Sequence, residues 1–183
     1  MRVMGEDGIC RSVITEPRVY VACLTSYNCG ISSGAWRTAD QLEEGLRHPH
    51  PSPAREEWAI HDTDSVPFIG ENPDIPHLIE IMRGIEEWGD AFRAWVELDP
   101  HNLQHHDDLG EAFEEAFYGS TMQTAPRRSF CEQIAEDRGW LSDGSPLWGC
   151  VDWDAVWNST LRFEFDFVER RWPEPSYIFR RDC

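Results

Sequence analysis

The sequence predicts an α+β protein made of three small domains, and three observations predict it. Runs rich in β-branched and aromatic residues read as strands at 18–24, 56–62, 163–169 and 176–180. Other runs repeat apolar residues at helical spacing, chiefly over 78–96, 109–117 and 152–162. Pro67, Gly70, Pro73 and Pro76 punctuate the chain between a sheet-containing part and a helical part. The 183 residues suit one large domain or two to three small ones. The expected division is an N-terminal extension 1–16, a small α+β domain 17–70, an acidic helical domain 71–119 and a C-terminal α+β domain 120–183.

Residues 1–16 show no clear period. RVYVACL, 18–24, is a β-branched and aromatic strand, and the Gly-, Ser- and Asn-rich stretch after it reads as a loop through Trp36. DQLEEGLR, 40–47, is a short acidic helix with Thr38 or Asp40 as its N-cap. HPHPSP, 48–53, is a proline-punctuated loop, and EEWAIHD, 56–62, a second strand. From Leu78 a helical stripe runs through Ile81, Met82, Ile85, Trp88, Phe92, Trp95 and Val96, with Glu80, Glu86, Glu87, Asp90 and Glu97 on the other side. Gly89 falls inside the stripe and is expected to end one helix, so that Asp90 caps the next. Leu109, Ala112, Phe113, Ala116 and Phe117 repeat the design opposite Asp108, Glu111, Glu114 and Glu115, and Gly119 is expected to stop that helix. RRSFCEQIAEDRG, 127–139, is a helix of mixed charge, and DWDAVWNSTLR, 152–162, another with Asp152 as N-cap. FEFDFVE, 163–169, reads as a half-buried strand with Phe163, Phe165 and Phe167 on one face, paired with SYIFR, 176–180.

Charge is the strongest signal. The net charge is −18, and all sixteen basic residues are Arg. Residues 1–39 carry +1, residues 40–115 carry −16 and residues 116–183 carry −3, so the excess is localised. The hydrophobic fraction is 40%, with nine Trp and nine Phe, which supports real cores and excludes a disordered acidic tail as the whole chain. So negative a surface repels nucleic acid and phospholipid headgroups and attracts basic surfaces. General solubility, adaptation to high salt and a surface selected for a basic partner all produce acidic chains. Within LGEAFEEAFYGS, 109–120, Glu111, Glu114 and Glu115 crowd one side without Lys or Arg, although each like-charge pair costs about 0.2–0.5 kcal/mol.

Constellations that carry chemistry are weak. The six Cys form no C-x-x-C pair, and no signal peptide or apolar run of membrane-spanning length appears. A cytoplasmic chain with reduced thiols, no cofactor and no membrane partner is expected. His101, His105 and His106 lie close together, and His101 and His105 have the i, i+4 spacing of a metal pair. They follow Pro100 between helices, where a polar connecting loop is the simpler reading. His61-Asp62 with Cys23 or Cys29 would make a thiol nucleophile and base, but nothing in the sequence joins them, and a surface strand end accounts for the pair. No P-loop pattern occurs, and acids are too abundant for any one pair to mark general acid–base catalysis. No enzyme is indicated.

PRVYVACLTSYNCGISSGAW with the following RTADQ resembles the opening of the ArdA antirestriction proteins, through YVACL, Tyr27, Asn28, Gly30, Gly34, Trp36 and Ala39. EEWAIHDTD, 56–64, resembles that family's second signature, and AFYG, Phe130 and VDWDAVW fit its last third more loosely. The resemblance spans roughly residues 17–180. It implies a homodimer of elongated, curved three-domain chains, joined through the C-terminal domain. It also implies imitation of bent double-stranded DNA and occupation of the basic DNA groove in the methyltransferase core of type I restriction-modification enzymes. Cleavage is then blocked, and often methylation, with no nucleic acid bound.

The physics is compatible with that implication. B-DNA presents about one phosphate per 1.7 Å of axis, whereas carboxylates on one helix face recur roughly every 5 Å. Several acidic elements must therefore lie side by side along an extended body. The expected partner-binding surface comprises Asp40, Glu43, Glu44, Glu56, Glu57, Asp62, Asp64, Glu71, Asp74, Glu80, Glu86, Glu87, Asp90, Glu97, Asp107, Asp108, Glu111, Glu114 and Glu115. An acidic module for another DNA-handling or defence protein, and a small metal protein using the three histidines, are the alternatives.

Overall fold

The structure, a computed structural model, describes residues 3–4, 10–11, 16–45, 57–98, 103 and 106–181. Most of the N-terminal extension, the proline-punctuated loop 48–53, Glu56, His101 and His105 lie outside the described residues. The fold is α+β, with helices packed against small antiparallel sheets. Within the extension, β1 (Val3–Met4) and β2 (Cys10–Arg11) pair antiparallel.

The first three-stranded sheet places β3 (Arg18–Cys23) between β4 (Gly34–Arg37) and β5 (Trp58–Asp64). Val19 and Val21 point into the core while Arg18 and Tyr20 stand on the other face, as the period of two requires. The stretch read as a loop is more ordered than its composition suggests. It holds α1 (Leu24–Asn28) and then β4. The Cys23 Sγ accepts from the Ser26 N–H at 3.4 Å, so a thiol caps α1 where no sequence rule looks for one. The acidic helix α2 runs Ala39–Glu43. Thr38 is its N-cap, with its N–H donating to Gln41 Oε1 at 3.2 Å, the return half of a capping box. Asp40 lies in the first turn instead of at the cap.

The helical part holds α3 (Ile75–Trp88), α4 (Asp90–Leu98) and α5 (Leu109–Ala116). The first of these begins ahead of the apolar stripe. Asp74 Oδ1 accepts from the His77 N–H at 3.0 Å, and Pro76 sits where its missing N–H leaves nothing unsatisfied. Gly89 does break the stripe. Its φ of 71° ends α3, and its carbonyl accepts from Arg93 N–H at 3.2 Å to begin α4, so Asp90 is the first helical residue and not the cap. A Cβ on Gly84 would overlap the buried Phe92 ring, so the absence of a side chain there lets α4 pack tightly on α3.

Asp108 Oδ1 accepts from the N–H groups of Gly110 and Glu111 at 2.8 and 3.0 Å, capping α5. Asp108→Ala is expected to cost about 1 kcal/mol in urea denaturation, while Asp108→Asn, which keeps an accepting oxygen, stays within about 0.5 kcal/mol of wild type. Equal losses in the two variants would mean that charge, not capping, sets the effect.

Gly119 does not stop α5. The helix ends at Ala116, Phe117 turns extended (φ −66°, ψ 114°), and Gly119 lies inside β6 (Phe117–Thr121). Pairing with β8 (Ser176–Arg180) draws the backbone out of the helix. The second three-stranded sheet sets β8 between β6 and β7 (Phe165–Val168). Against it lie α6 (Pro126–Asp137) and α7 (Trp153–Ser159), the latter capped by Asp152 Oδ1 accepting from Ala155 N–H at 2.9 Å. The helix read over 152–162 ends at Ser159 because Thr160 (φ −135°, ψ −67°) leaves helical geometry. Phe163 is consequently in a 3-10 turn and 58% exposed, so the inward face of the strand begins at Phe165.

Two cores result. The larger joins Val19, Val21 and Ile60 to Leu42, to the inner faces of α3, α4 and α5, and to Tyr177 and Phe179. The smaller joins Phe130, Ile134, Trp153, Trp157, Leu161 and Phe165 to Ile178. Alternate residues of β8 serve different cores, so this strand, with Phe117 of β6 and Val168 of β7, ties the C-terminal sheet to the acidic helices.

Candidate functional site

The acidic residues reach the surface because the apolar positions beside them are anchored. On α5, Leu109, Phe113 and Ala116 are buried while Glu111, Glu114 and Glu115 are exposed. On α3, Leu78, Ile81, Met82 and Ile85 are buried, and Glu80, Glu86 and Glu87 are exposed. Of the expected surface residues, all that are described stand exposed except Asp64 and Asp90, which are half-buried. Glu56 lies outside the described residues.

The structure gathers part of the set into one groove of about 350 Å³ between α2, α3 and the start of α5. Glu43, Glu80, Glu87, Asp107 and Asp108 line it with Arg83, over Trp88 and Phe92. These carboxylates come from segments up to 65 residues apart in sequence, between Glu43 and Asp108, and only packing of α2 and α5 on α3 brings them together.

Many of the expected acids, some of the groove's among them, have partners. Arg83 Nη1 donates to Glu86 at 2.9 Å, its Nε and Nη2 to Glu43 at 3.3 and 3.1 Å, and Nη2 also to Asp40. Those bonds, Glu43 first, hold the Arg83 guanidinium still further above its ordinary pKa. Arg18 Nη2 donates to Asp64 at 2.5 Å, and that hydrogen bond keeps the Asp64 carboxyl below the usual carboxylate range. Arg93 lies 3.3 Å from Asp90 and 3.9 Å from Glu97, and Arg170 also reaches Glu97. His77 Nδ1 is 3.8 Å from Glu80. Asp74 and Asp108 serve as N-caps, and Asp62 accepts from Thr63 N–H at 2.9 Å.

Glu71, Glu87, Asp107, Glu111, Glu114 and Glu115 make no ion pair with any described residue. Among the described residues, the imbalance on α5 that the sequence suggests therefore persists. One cation approaches it indirectly. Arg180 Nη1 donates to the Glu115 carbonyl at 3.2 Å, at the helix C-terminus where a positive charge is favourable, and its guanidinium sits 5.1 Å above the Tyr118 ring. Arg83 and Arg180 are the residues that sequence reasoning missed. Glu86, three residues after Arg83, is the one local hint of either.

Among the described residues the remaining constellations do not assemble into a reactive site. The His61 ring meets the edge of Tyr27 at 4.9 Å. Cys23 and Cys131 are buried, and Cys29 and Cys150 are exposed. Burial pushes the Cys131 thiol up to about 11, so it stays protonated and unreactive at neutral pH. His106 tilts against Trp95 at 6.0 Å. Among the described residues no group of three His, Cys, Asp or Glu is placed to hold a metal ion, and no helix is long and apolar enough to cross a membrane.

A family model described as Antirestriction protein (ArdA) matches residues 19–170. No curated protein matches the chain.

Proposed function

The chain belongs to the ArdA family of antirestriction proteins, and from that membership we propose that it counters restriction by imitating double-stranded DNA. Its fixed carboxylates stand in for phosphates and occupy the basic DNA cleft of a type I restriction-modification enzyme. The observation that carries this reading is the surface from α2 to α5, where exposed acids lie outward of one shared apolar core. Arranging the chain as three consecutive units, 17–70, 71–119 and 120–183, would draw the acids out along a body. Self-association through the last unit would double that track.

The mechanism requires no bond to be made or broken. Long-range attraction steers the protein to the cleft, and the partner's Lys and Arg relieve the repulsion that Glu111, Glu114 and Glu115 tolerate in the free chain. Inhibition follows from exclusion of the substrate, so cleavage stops, and methylation stops with it if both activities share the occupied cleft.

Competition measures this directly. The purified chain is titrated into a type I methyltransferase core holding labelled duplex DNA, at rising salt. Displacement of the duplex is expected, with affinity falling steeply between about 50 and 200 mM salt because the attraction between charges is screened. A chain that leaves the duplex bound at low salt would transfer the acidic surface to a different DNA-handling or defence protein.

A further inference from the structure

We infer that Arg83 is a positioning residue for this surface: its guanidinium sets the relative placement of Asp40, Glu43 and Glu86 so that they meet a partner's cations as an ordered group. The inference rests on the mimicry reading and adds to it a requirement that charge alone does not contain.

Three observations lead there. Arg83 engages carboxylates from two elements, Asp40 and Glu43 of α2 and Glu86 of α3, through Nε, Nη1 and Nη2 together. Its base is rigid, since the adjacent Gly84 abuts the Phe92 ring and Ala39 and Leu42 of α2 are buried in the same core. And Arg83 is the sole cation among the described residues lining the acidic groove.

Stability does not explain the arrangement. The Arg83 side chain is 40% exposed and its partners 31–74%, a setting in which ion pairs contribute little to folding. A planar fork, by contrast, orients several carboxylates at once in a way an ammonium cannot. Without it three exposed acids would repel one another and sample separate rotamers, and a partner would have to order them on binding.

Charge and placement predict opposite signs. Arg83→Gln makes the chain more negative by one, so attraction alone would tighten binding to a basic cleft. If Arg83 positions the acids, Arg83→Gln instead weakens displacement of duplex DNA from the methyltransferase core by roughly three- to tenfold. Arg83→Lys, which keeps the charge and loses the fork, is then also weaker than wild type. Thermal melting is expected to match wild type for both variants, which separates placement from folding. In a Glu43→Gln background the effect of Arg83→Gln should shrink, because the two residues act through one contact.

An Arg83→Gln chain that binds as tightly as wild type or tighter, or an Arg83→Lys chain indistinguishable from wild type, overturns the inference while leaving mimicry intact. A wild-type chain that displaces no duplex overturns both.

Discussion

Replacing Glu111, Glu114 and Glu115 together by Gln is expected to lower affinity for the restriction enzyme about 100-fold while slightly raising the stability of the free protein. Each carboxylate facing a cation at about 4 Å across water is worth about 1 kcal/mol, so three contribute about 3 kcal/mol, or roughly two decades in Kd. In the free chain the sign reverses. Glu111 lies three and four residues before Glu114 and Glu115, and removing those two like-charge pairs returns about 0.2–0.5 kcal/mol each. No described basic side chain pairs with these acids, so no compensating loss is expected. Neutralising Asp137, Asp143 and Glu174 serves as the control, since these are exposed acids beyond 40–115 that make no ion pair with described residues. Equal loss from both triples would mean that net charge alone matters. A stability loss from the first triple would mean that the repulsion argument has the wrong sign.

Phe113→Ala is expected to destabilise the protein by about 3–5 kcal/mol, the range for truncating a buried aromatic side chain. Phe113 is fully buried, and its ring lies 5.4 Å from Trp88, 5.2 Å from Phe92, 5.7 Å from Trp95, 5.4 Å from Phe117 and 6.3 Å from Phe179. It therefore joins α3, α4 and α5 to both strands of the β6–β8 pairing. For a chain of this size the melting temperature should fall by roughly 6–20 °C. Phe163→Ala, at a ring 58% exposed, should stay within about 0.5 kcal/mol. Denaturation followed by tryptophan fluorescence and by far-ultraviolet circular dichroism checks both. A Phe113→Ala chain less than about 1 kcal/mol below wild type would remove the aromatic cluster as the support of the acidic surface.

Much of the acidic surface is legible in the sequence because helices encode their own faces. The spacing from Leu78 to Val96 and from Leu109 to Phe117 tells which side packs inward, and the acids on the other side follow. Caps are equally local. Asp152 stands directly before Trp153, with Val156 and Trp157 following at helical spacing, and it caps α7 as expected. Local reading fails where distant segments override local preference. Gly119 carries the composition of a helix stop, yet pairing with β8 makes its segment a strand. The glycines and serines after Cys23 resemble a loop, yet Gly34–Arg37 completes a sheet edge against β3.

The α+β class, the outward faces of the acidic helices and the concentration of net negative charge in 40–115 follow from the order of residues alone, because each depends on composition or on neighbours a few positions apart. Which acids are balanced, and which are left without a described counter-ion, is settled by packing. Arg83 reaches Asp40 and Glu43 some forty residues away, Arg170 reaches Glu97 from beside the last sheet, and Glu111, Glu114 and Glu115 have no described counter-ion. An ion pair forms only where two side chains come within a few ångströms, and that distance is set by the shared core, not by spacing along the chain.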